Sequence, residues 1–351
     1  TRYTLKDGAH FSREFIIMLL AVFLGIIAAL FLSYFDYQVY TKFWPVIAVF
    51  CVIIMLVLFK WGTGPSSRPD ARTWLSIGPI NFQPSELVKI GFIITFGVHL
   101  DKVKEKINNI FSILQLGAHA AVPIVLVAAT GDMGSALVFM VIAIVMMFVA
   151  GVHWGYFLGG IALVGAATPL IWTYALKQLQ KDRFLALIYP DLYPDIIYQQ
   201  QRGLNAIGAG GITGQGLFKG AYTQAGAVPE SQNDMIFSVV GEEFGFIGCI
   251  TALLLIVLIT VRIIYVGKKS SEQSTNLICT GMAAMIIGQM IINVGMCLML
   301  LPVIGITLPF FSAGGSSNLC VYLGIGIVMS IYRHNCDTGA VNIRVYDSLK
   351  K

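Results

Sequence analysis

The feature that most constrains this chain is the occurrence of its apolar residues in long blocks, such as residues 15–32 and 250–261. Blocks of this kind are typical of helices that cross a bilayer, whereas the strands of a membrane β-barrel alternate apolar and polar residues. Only 12% of the 351 residues are charged, against about 25% in soluble domains. The sequence therefore predicts an all-α polytopic membrane protein and excludes soluble enzymes, disordered chains and outer-membrane barrels.

Counting roughly 20 apolar residues per span, we predict nine transmembrane helices. Two connections between them are long, 61–83 and 176–235, and the second is predicted to be a large extracellular loop. The predicted spans are 14–34, 42–60, 84–100, 111–130, 133–151, 155–175, 236–262, 275–301 and 306–332.

The distribution of Lys and Arg among the short connections predicts the orientation, because short cytoplasmic loops carry an excess of these residues. If the C-terminus is cytoplasmic, the short cytoplasmic segments carry more Lys and Arg than the short outer segments, as the rule requires. Both long connections then lie outside. Residues 1–333 are predicted to form a single integral membrane domain and residues 334–351 a cytoplasmic tail. The basic residues form no run typical of nucleic-acid binding, and the six cysteines lack metal-ligand spacing.

The segment at residues 83–89 carries Glu86 and Lys89, which lie three residues apart and therefore share one helix face. Charged residues within or beside membrane spans are costly, so they indicate function by default. One interpretation is a self-neutralising ion pair that lets a helix carry two charges into the bilayer. The other is a polar cavity at the outer membrane surface.

Two aspartates precede predicted helices. Asp132 lies between two spans and can cap the second one, where the helix dipole favours an anion. Asp234 lies where the long connection enters a helix, so it can be a cap or a partly desolvated carboxylate that acts as a base. Glu242 and Glu243 lie two turns further along, where burial requires partners.

The long connection contains a glycine-dense segment at residues 207–216, which is neither a P-loop nor a dinucleotide fingerprint. The same connection carries Arg183, Arg202 and Lys219, as would suit an anionic, phosphate-bearing substrate. Residues 308–317 form a polar, glycine-rich break at the start of the last predicted helix. These residues indicate either an enzyme that acts on a lipid-linked anion or a transporter that moves one.

In the same order along nearly the whole chain, these segments resemble motifs of the SEDS family (shape, elongation, division and sporulation), which includes RodA, FtsW and SpoVE. The motif after the long connection is the most telling, with agreement at Pro229, Glu230, Asp234, Ile236, Phe237, Gly241, Glu242 and Glu243. The departures from the family patterns are Gly131, Ser135, Arg202, Asn233, Met235 and Ala313. The other similar segments are 83–89, 131–135, 198–199, 206–211 and 309–317. The glycine-dense segment is most similar to RodA- or SpoVE-like members, and we take the chain as RodA-like.

The resemblance implies ten helices with both termini cytoplasmic. The predicted span 14–34 aligns with the second helix of the family, and residues 1–13 resemble the outer loop before it. We therefore expect this sequence to lack the first helix of the family.

The resemblance also implies a peptidoglycan glycosyltransferase that polymerises lipid II at the outer face of the cytoplasmic membrane, in cell elongation, division or sporulation. Asp234 maps onto the catalytic aspartate and is expected to accept the proton of the acceptor hydroxyl. Glu86 and Lys89 map onto a polar pair that lines the central cavity, and Ser312 belongs to a motif expected at the substrate site. The side chains expected to hold the pyrophosphate are Arg72, Arg183, Arg202 and Lys219, or a divalent cation (Mg²⁺ or Mn²⁺) bound by Glu86 or Glu230.

The family also works with a transpeptidase partner, a class B penicillin-binding protein with one membrane helix. Two other functions stay open at this point. One is a flippase for lipid II or another lipid-linked substrate, and the other is a non-catalytic scaffold of the cell-wall synthesis machinery.

Overall fold

The computed structural model describes residues 13–64, 71–78 and 80–348. Within these ranges the chain is mostly helical, which confirms the predicted class. The predicted outer loop at 1–13 lies almost wholly outside them. The helices are α1 (Arg13–Tyr34), α2 (Tyr37–Lys42), α3 (Trp44–Trp61), α4 (Pro84–Lys102), α5 (Ile110–Ala129), α6 (Met133–Val149), α7 (Trp154–Leu170), α8 (Gln178–Ile188), α9 (Pro194–Gly210), α10 (Ala221–Gln224), α11 (Ile236–Lys269), α12 (Gln273–Cys297) and α13 (Gly315–Ser348). Strands β1 (Leu75–Ile77) and β2 (Ile80–Phe82) form one antiparallel hairpin.

Seven helices in the described residues are long and apolar enough to cross a membrane, so the chain is a multi-pass membrane protein. Two of the nine predicted spans are not among them. The helix α6 is apolar but has only 17 residues, and α4 carries Glu86, Lys89, Asp101 and Lys102. The seven segments are Phe15–Tyr34, Trp44–Trp61, Ile110–Ala129, Trp154–Tyr174, Ile236–Lys269, Gln273–Cys297 and Gly315–His334.

Several predicted boundaries differ from those observed. The helix α12 ends at Cys297 rather than 301, and α13 begins at Gly315 rather than 306. The apolar composition continues between them, but the backbone takes positive φ at Met299, Gly305 and Phe310, which an α-helix does not allow. The predicted loop 176–235 contains the helices α8, α9 and α10.

The chain forms two compact units. We call one the Asp234 unit, which consists mainly of Val152–Ile256 and Gln289–Ala313. We call the other the Glu86 unit, which consists mainly of Ile16–Gly151, Val257–Gly288 and the chain from Gly314.

The helix α4 is the buried centre of the Glu86 unit, where it contacts α3, α5, α6 and α13. Almost every residue from Pro84 to Leu100 is buried. Proline suits the first turn of a helix because its missing N–H would have no helical partner there. The β1–β2 hairpin, which turns at Gly78 with a φ of 61°, ends two residues before α4 and so delivers Glu86 into its first turn.

The helix α11 in the Asp234 unit is interrupted at Gly245, which has a φ of 67°. The N–H groups of Phe246 and Ile247 donate to the carbonyls of Gly211 (2.9 Å) and Ile212 (3.2 Å). A Cβ atom at position 245 would lie 2.3 Å from the backbone nitrogen of Gly214. Both the positive φ and this close approach require glycine at the interruption.

Candidate active site

The Glu86 unit contains the predicted pair of opposite charges. Glu86 Oε1 lies 2.7 Å from Lys89 Nζ, and the two residues are only 5% and 0% exposed. Their separation by three residues places them on one face of α4, as predicted. A buried ion pair of this kind offsets part of the cost of burying two charges in an apolar region.

Asp132 caps the N-terminus of α6, since its Oδ1 accepts from the Ser135 N–H at 3.0 Å. This confirms the capping interpretation. Its second oxygen, Oδ2, accepts from Gln83 Nε2 (2.8 Å) and from Ser85 Oγ (3.1 Å). The carboxylate is 8% exposed and therefore ties the start of α6 to the start of α4 through neutral donors.

The start of α13 is tied to the same place. Ser316 Oγ accepts from the Gln83 N–H at 3.2 Å and donates to the Asn81 carbonyl at 3.3 Å. Ser316, in the first turn of α13, therefore bonds to one residue of β2 and to the residue that caps α4.

Arg72 is an exposed residue of the Glu86 unit that is held at both its backbone and its side chain. Its N–H donates to the Thr130 carbonyl at 2.8 Å, and its guanidinium Nη1 donates to the Phe59 carbonyl in the last turn of α3. Because a cation at a helix C-terminus is favoured by the dipole, Arg72 stabilises the end of α3.

Asp234 lies in the other unit, on a tight turn that immediately precedes α11. The N–H groups of Asn233 (3.0 Å) and Met235 (3.1 Å) donate to the carbonyl of Glu230, which has a φ of 50°. Asn233 Nδ2 also donates to Glu230 Oε2 at 2.9 Å. The turn leaves Asp234 partly exposed and Glu230 exposed.

The same turn is bonded to α12 and to the segment before α13. The Asp234 carbonyl accepts from Asn293 Nδ2 at 2.8 Å. Ser312 is 1% exposed, and its hydroxyl accepts from the Leu308 N–H and donates to the Asn233 carbonyl, both at 2.8 Å. Ser312 therefore lies directly beside the Asp234 turn.

Glu242 and Glu243 have the partners that their burial requires. Glu242 is fully buried, and its carboxylate accepts from the N–H groups of Tyr222 (2.6 Å) and Thr223 (2.9 Å) and from the Thr223 hydroxyl. Glu243 is 3% exposed and accepts from Gln224 Nε2 at 2.9 Å. These two carboxylates fix α10 against α11.

The predicted cations of the Asp234 unit contact different parts of it. Arg183 on α8 donates from Nη1 to the Val303 carbonyl at 2.7 Å. The Arg202 guanidinium on α9 lies 5.1 Å from the ring centroid of Tyr198. Lys219 is exposed, and its N–H donates to the Gly216 carbonyl at 3.0 Å. Of these three cations, Arg183 is the one bonded to the segment 298–314 between α12 and α13, which also carries Ser312.

A divalent cation finds no preformed cage in the described part of the chain, where no group of three or more His, Cys, Asp or Glu side chains lies close together. The two predicted ligands already have protein partners, Lys89 for Glu86 and Asn233 for Glu230. The side chains present therefore do not fit a metal site of their own. A cation here would take most of its ligands from substrate phosphates and water.

The residues that bond to Asp132, Asp234 and Glu242 were not predicted from the sequence. Asn293 had a usable signal, because it is an amide in the middle of an apolar span. Gln83, Thr223 and Tyr222 had none, because their acceptors lie 19 to 49 residues away in the sequence.

Comparison with known proteins places the chain among cell-wall proteins. Residues 3–337 match the family described as cell cycle proteins, whose members include FtsW, RodA and SpoVE. The chain is 28% identical to the peptidoglycan glycosyltransferase MrdB of Escherichia coli K12 over 314 residues, which cover 89% of this chain and 83% of MrdB.

Two solved structures are similar to this chain over most of its length. One comes from a study of the structural coordination of polymerization and crosslinking by a peptidoglycan synthase complex. It matches with a TM-score of 0.79 and 26% identity, over 92% of this chain and 90% of that chain. The other is the rod shape determining protein RodA of Thermus thermophilus, with a TM-score of 0.68 and 25% identity, over 91% and 87% of the two chains.

Proposed function

The chain belongs to the FtsW/RodA/SpoVE family of cell cycle proteins, and on this premise we propose that it is a RodA-like peptidoglycan glycosyltransferase that polymerises lipid II. The observation that carries the proposal is the Asp234 turn. A partly exposed carboxylate stands at the entrance to a membrane helix, on a backbone that other elements hold in place.

In the proposed reaction Asp234 is the catalytic base. A sugar hydroxyl of the acceptor attacks the anomeric carbon of the growing glycan, and Asp234 takes the hydroxyl proton as the new C–O bond forms. The bond from the anomeric carbon to the pyrophosphate breaks, and undecaprenyl pyrophosphate leaves with the bonding electrons. A positioned base of this kind contributes about 10²–10⁴-fold in rate.

The remaining predicted residues are proposed to bind the substrate. Glu86 and Lys89 are proposed to act as a buried ion pair beside the substrate cavity, and the exposed Glu230 stands four residues before the base. Ser312 is included because its hydroxyl donates to the Asn233 carbonyl in the Asp234 turn. The cations proposed to neutralise the pyrophosphate are Arg72, Arg183, Arg202 and Lys219.

The finer topology is also part of the proposal. We place nine spans in this chain by adding α4 and α6 to the seven apolar helices, with residues 334–351 as a cytoplasmic tail after a single membrane domain. This orientation puts the connection 176–235 and Asp234 outside the cytoplasmic membrane. Labelling of a cysteine placed at the exposed Lys219 by a membrane-impermeant reagent on intact cells tests it, since labelling only after cell lysis would contradict it.

We propose a class B penicillin-binding protein as the partner. The similar chain in a peptidoglycan synthase complex supports this, because that complex coordinates polymerization with crosslinking. Co-purification of the full chain with such a transpeptidase from native membranes is the expected result.

The decisive experiment compares wild type with Asp234→Asn in a lipid II polymerisation assay. We expect the variant to lose activity by about 10²–10⁴-fold while it stays folded, because the amide cannot accept the proton. Asp191→Asn is the matched control, since Asp191 is an exposed acid in the same unit. Polymerisation that survives in Asp234→Asn would exclude the proposed role.

The same protein in liposomes tests the alternatives. Robust flipping of lipid II that persists in Asp234→Asn, without polymerisation by the wild type, would favour a flippase. Neither flipping nor polymerisation in the complex with the transpeptidase would favour a scaffold.

A further inference from the structure

The backbone around Asp234 is held by an unusual set of side chains and N–H groups. Asn293 lies on α12, inside an apolar span, and is fully buried. Its Nδ2 donates both to the Asp234 carbonyl (2.8 Å) and to the Ile306 carbonyl (2.7 Å). A buried amide in an apolar span is costly unless it is bonded, and here both of its donated bonds go to the main chain.

Three consecutive carbonyls of the turn accept bonds from this region. The Gln232 carbonyl accepts from the Ala313 N–H at 2.8 Å, and the Asn233 carbonyl accepts from the Ser312 hydroxyl at 2.8 Å. The Asp234 carbonyl accepts from Asn293 and also from Cys297 Sγ, at 3.6 Å and one turn further along α12. We call these four donors the carbonyl clamp.

Asn293 is the donor that bonds both to the Asp234 turn and to the segment that carries Ser312 and Ala313. Cys297 contributes a weak S–H donor, and Ser312 and Ala313 come from the segment that Asn293 itself bonds at Ile306. Loss of Asn293 would therefore loosen the turn from α12 and loosen the segment 306–313 at the same time.

We propose that Asn293 is a positioning residue, which sets the orientation of the Asp234 carboxylate by fixing the peptide that follows it. This inference rests on the proposed function, because it concerns the same base. A catalytic group must be held within about 0.5 Å of its productive position, and a misplacement of about 1 Å can cost 10²-fold in rate. Asn293 touches the Asp234 main chain and acts on the substrate only through it.

The test uses Asn293→Leu in the purified full chain with its transpeptidase. Leucine has a shape close to that of asparagine and suits an apolar span, so this variant removes the donors without leaving a cavity. We expect kcat for lipid II polymerisation to fall about 10- to 100-fold, with KM unchanged within a factor of two. The expected independent readout is faster hydrogen exchange confined to residues 230–236 and 306–313, with a slightly lower Tm, because leucine leaves the Asp234 and Ile306 carbonyls without this donor.

The matched control is Thr280→Ala, which alters a buried polar residue 13 positions earlier in the same helix. We expect wild-type kcat and wild-type exchange at 230–236. If Thr280→Ala lowers kcat as much as Asn293→Leu does, the effect comes from general damage to α12, and the proposal is wrong.

The remaining outcomes separate this inference from the proposed function. Retained polymerisation in Asp234→Asn would overturn the proposed function itself. If Asp234→Asn is inactive while Asn293→Leu keeps its kcat, or raises KM alone, the base stands and the positioning role of Asn293 falls. Faster exchange throughout the chain, rather than in residues 230–236 and 306–313, would also overturn it, because Asn293 would then serve only stability.

Discussion

Glu86 in α4 and Glu242 in α11 are both buried carboxylates, but the cost of burying their charge is offset in different ways. Glu86 has a full opposite charge, Lys89, at 2.7 Å on its own helix. Glu242 is held by neutral donors, two backbone N–H groups and a hydroxyl, from α10. The first solution is local in sequence, and the second requires a separate segment to fold against α11.

The two solutions differ in how they fail. When one partner of a buried ion pair is lost, the other becomes an isolated charge, and the penalty is that of a whole unpaired ion. When one of several neutral donors is lost, the remaining donors still solvate the carboxylate. We therefore expect Lys89 to be far more critical for stability than any single donor to Glu242.

The largest effect is expected for Lys89→Met, which leaves Glu86 buried without its cation. The free energy of unfolding should fall by about 3–5 kcal/mol, measured by denaturant titration in detergent. The double variant Glu86→Leu/Lys89→Met is the control and should recover most of the loss, because it removes both charges. A double variant as unstable as Lys89→Met would show that shape, rather than the unpaired charge, causes the loss.

A smaller effect is expected for Thr223→Val, which removes the hydroxyl donor to Glu242 and keeps the side-chain shape. The expected cost is about 1.5–3 kcal/mol, as for a hydrogen bond to a charged group. Thr251→Val is the matched control, because that exposed hydroxyl donates only to the Ile247 carbonyl of its own helix at 2.8 Å. Equal changes in Tm for the two variants would contradict the special role of Glu242.

The smallest effect is expected for Lys104→Met. Lys104 pairs with Asp101 at 2.9 Å, and the two side chains are 48% and 27% exposed. Exposed pairs contribute about 0–1 kcal/mol and are screened by salt. The variant and the wild type should have the same Tm in 1 M salt. A loss as large as that of Lys89→Met would show that burial is not what separates the two ion pairs.

The parts of this molecule that sequence predicts well are those set by short spacings. Apolar blocks give the helices, a separation of three residues gives the Glu86–Lys89 pair, and an aspartate before a helix gives the Asp132 cap. Each of these interactions is complete within one turn of chain. For that reason no knowledge of the tertiary structure is required to predict them.

The parts that sequence could not predict depend on contacts between distant segments. The donors to Glu242 come from α10, and the donor to the Asp234 carbonyl comes from a residue 59 positions away. The observed end of α12 and start of α13 also differ from the predicted bounds, because residues 298–311 are apolar enough to continue a span. Positive φ angles at Met299, Gly305 and Phe310 interrupt the helix there, and amino-acid composition does not predict these angles.

The interruption of α11 at Gly245 has a consequence for how the chain is assembled. The hydrogen-bond ladder of this helix is completed from outside, because Gly211 and Ile212 supply the acceptors for Phe246 and Ile247. These acceptors are synthesised before the donors that need them, and a bilayer offers no water as a substitute. The connection before α11 therefore completes the hydrogen bonding of the helix that follows it in the chain.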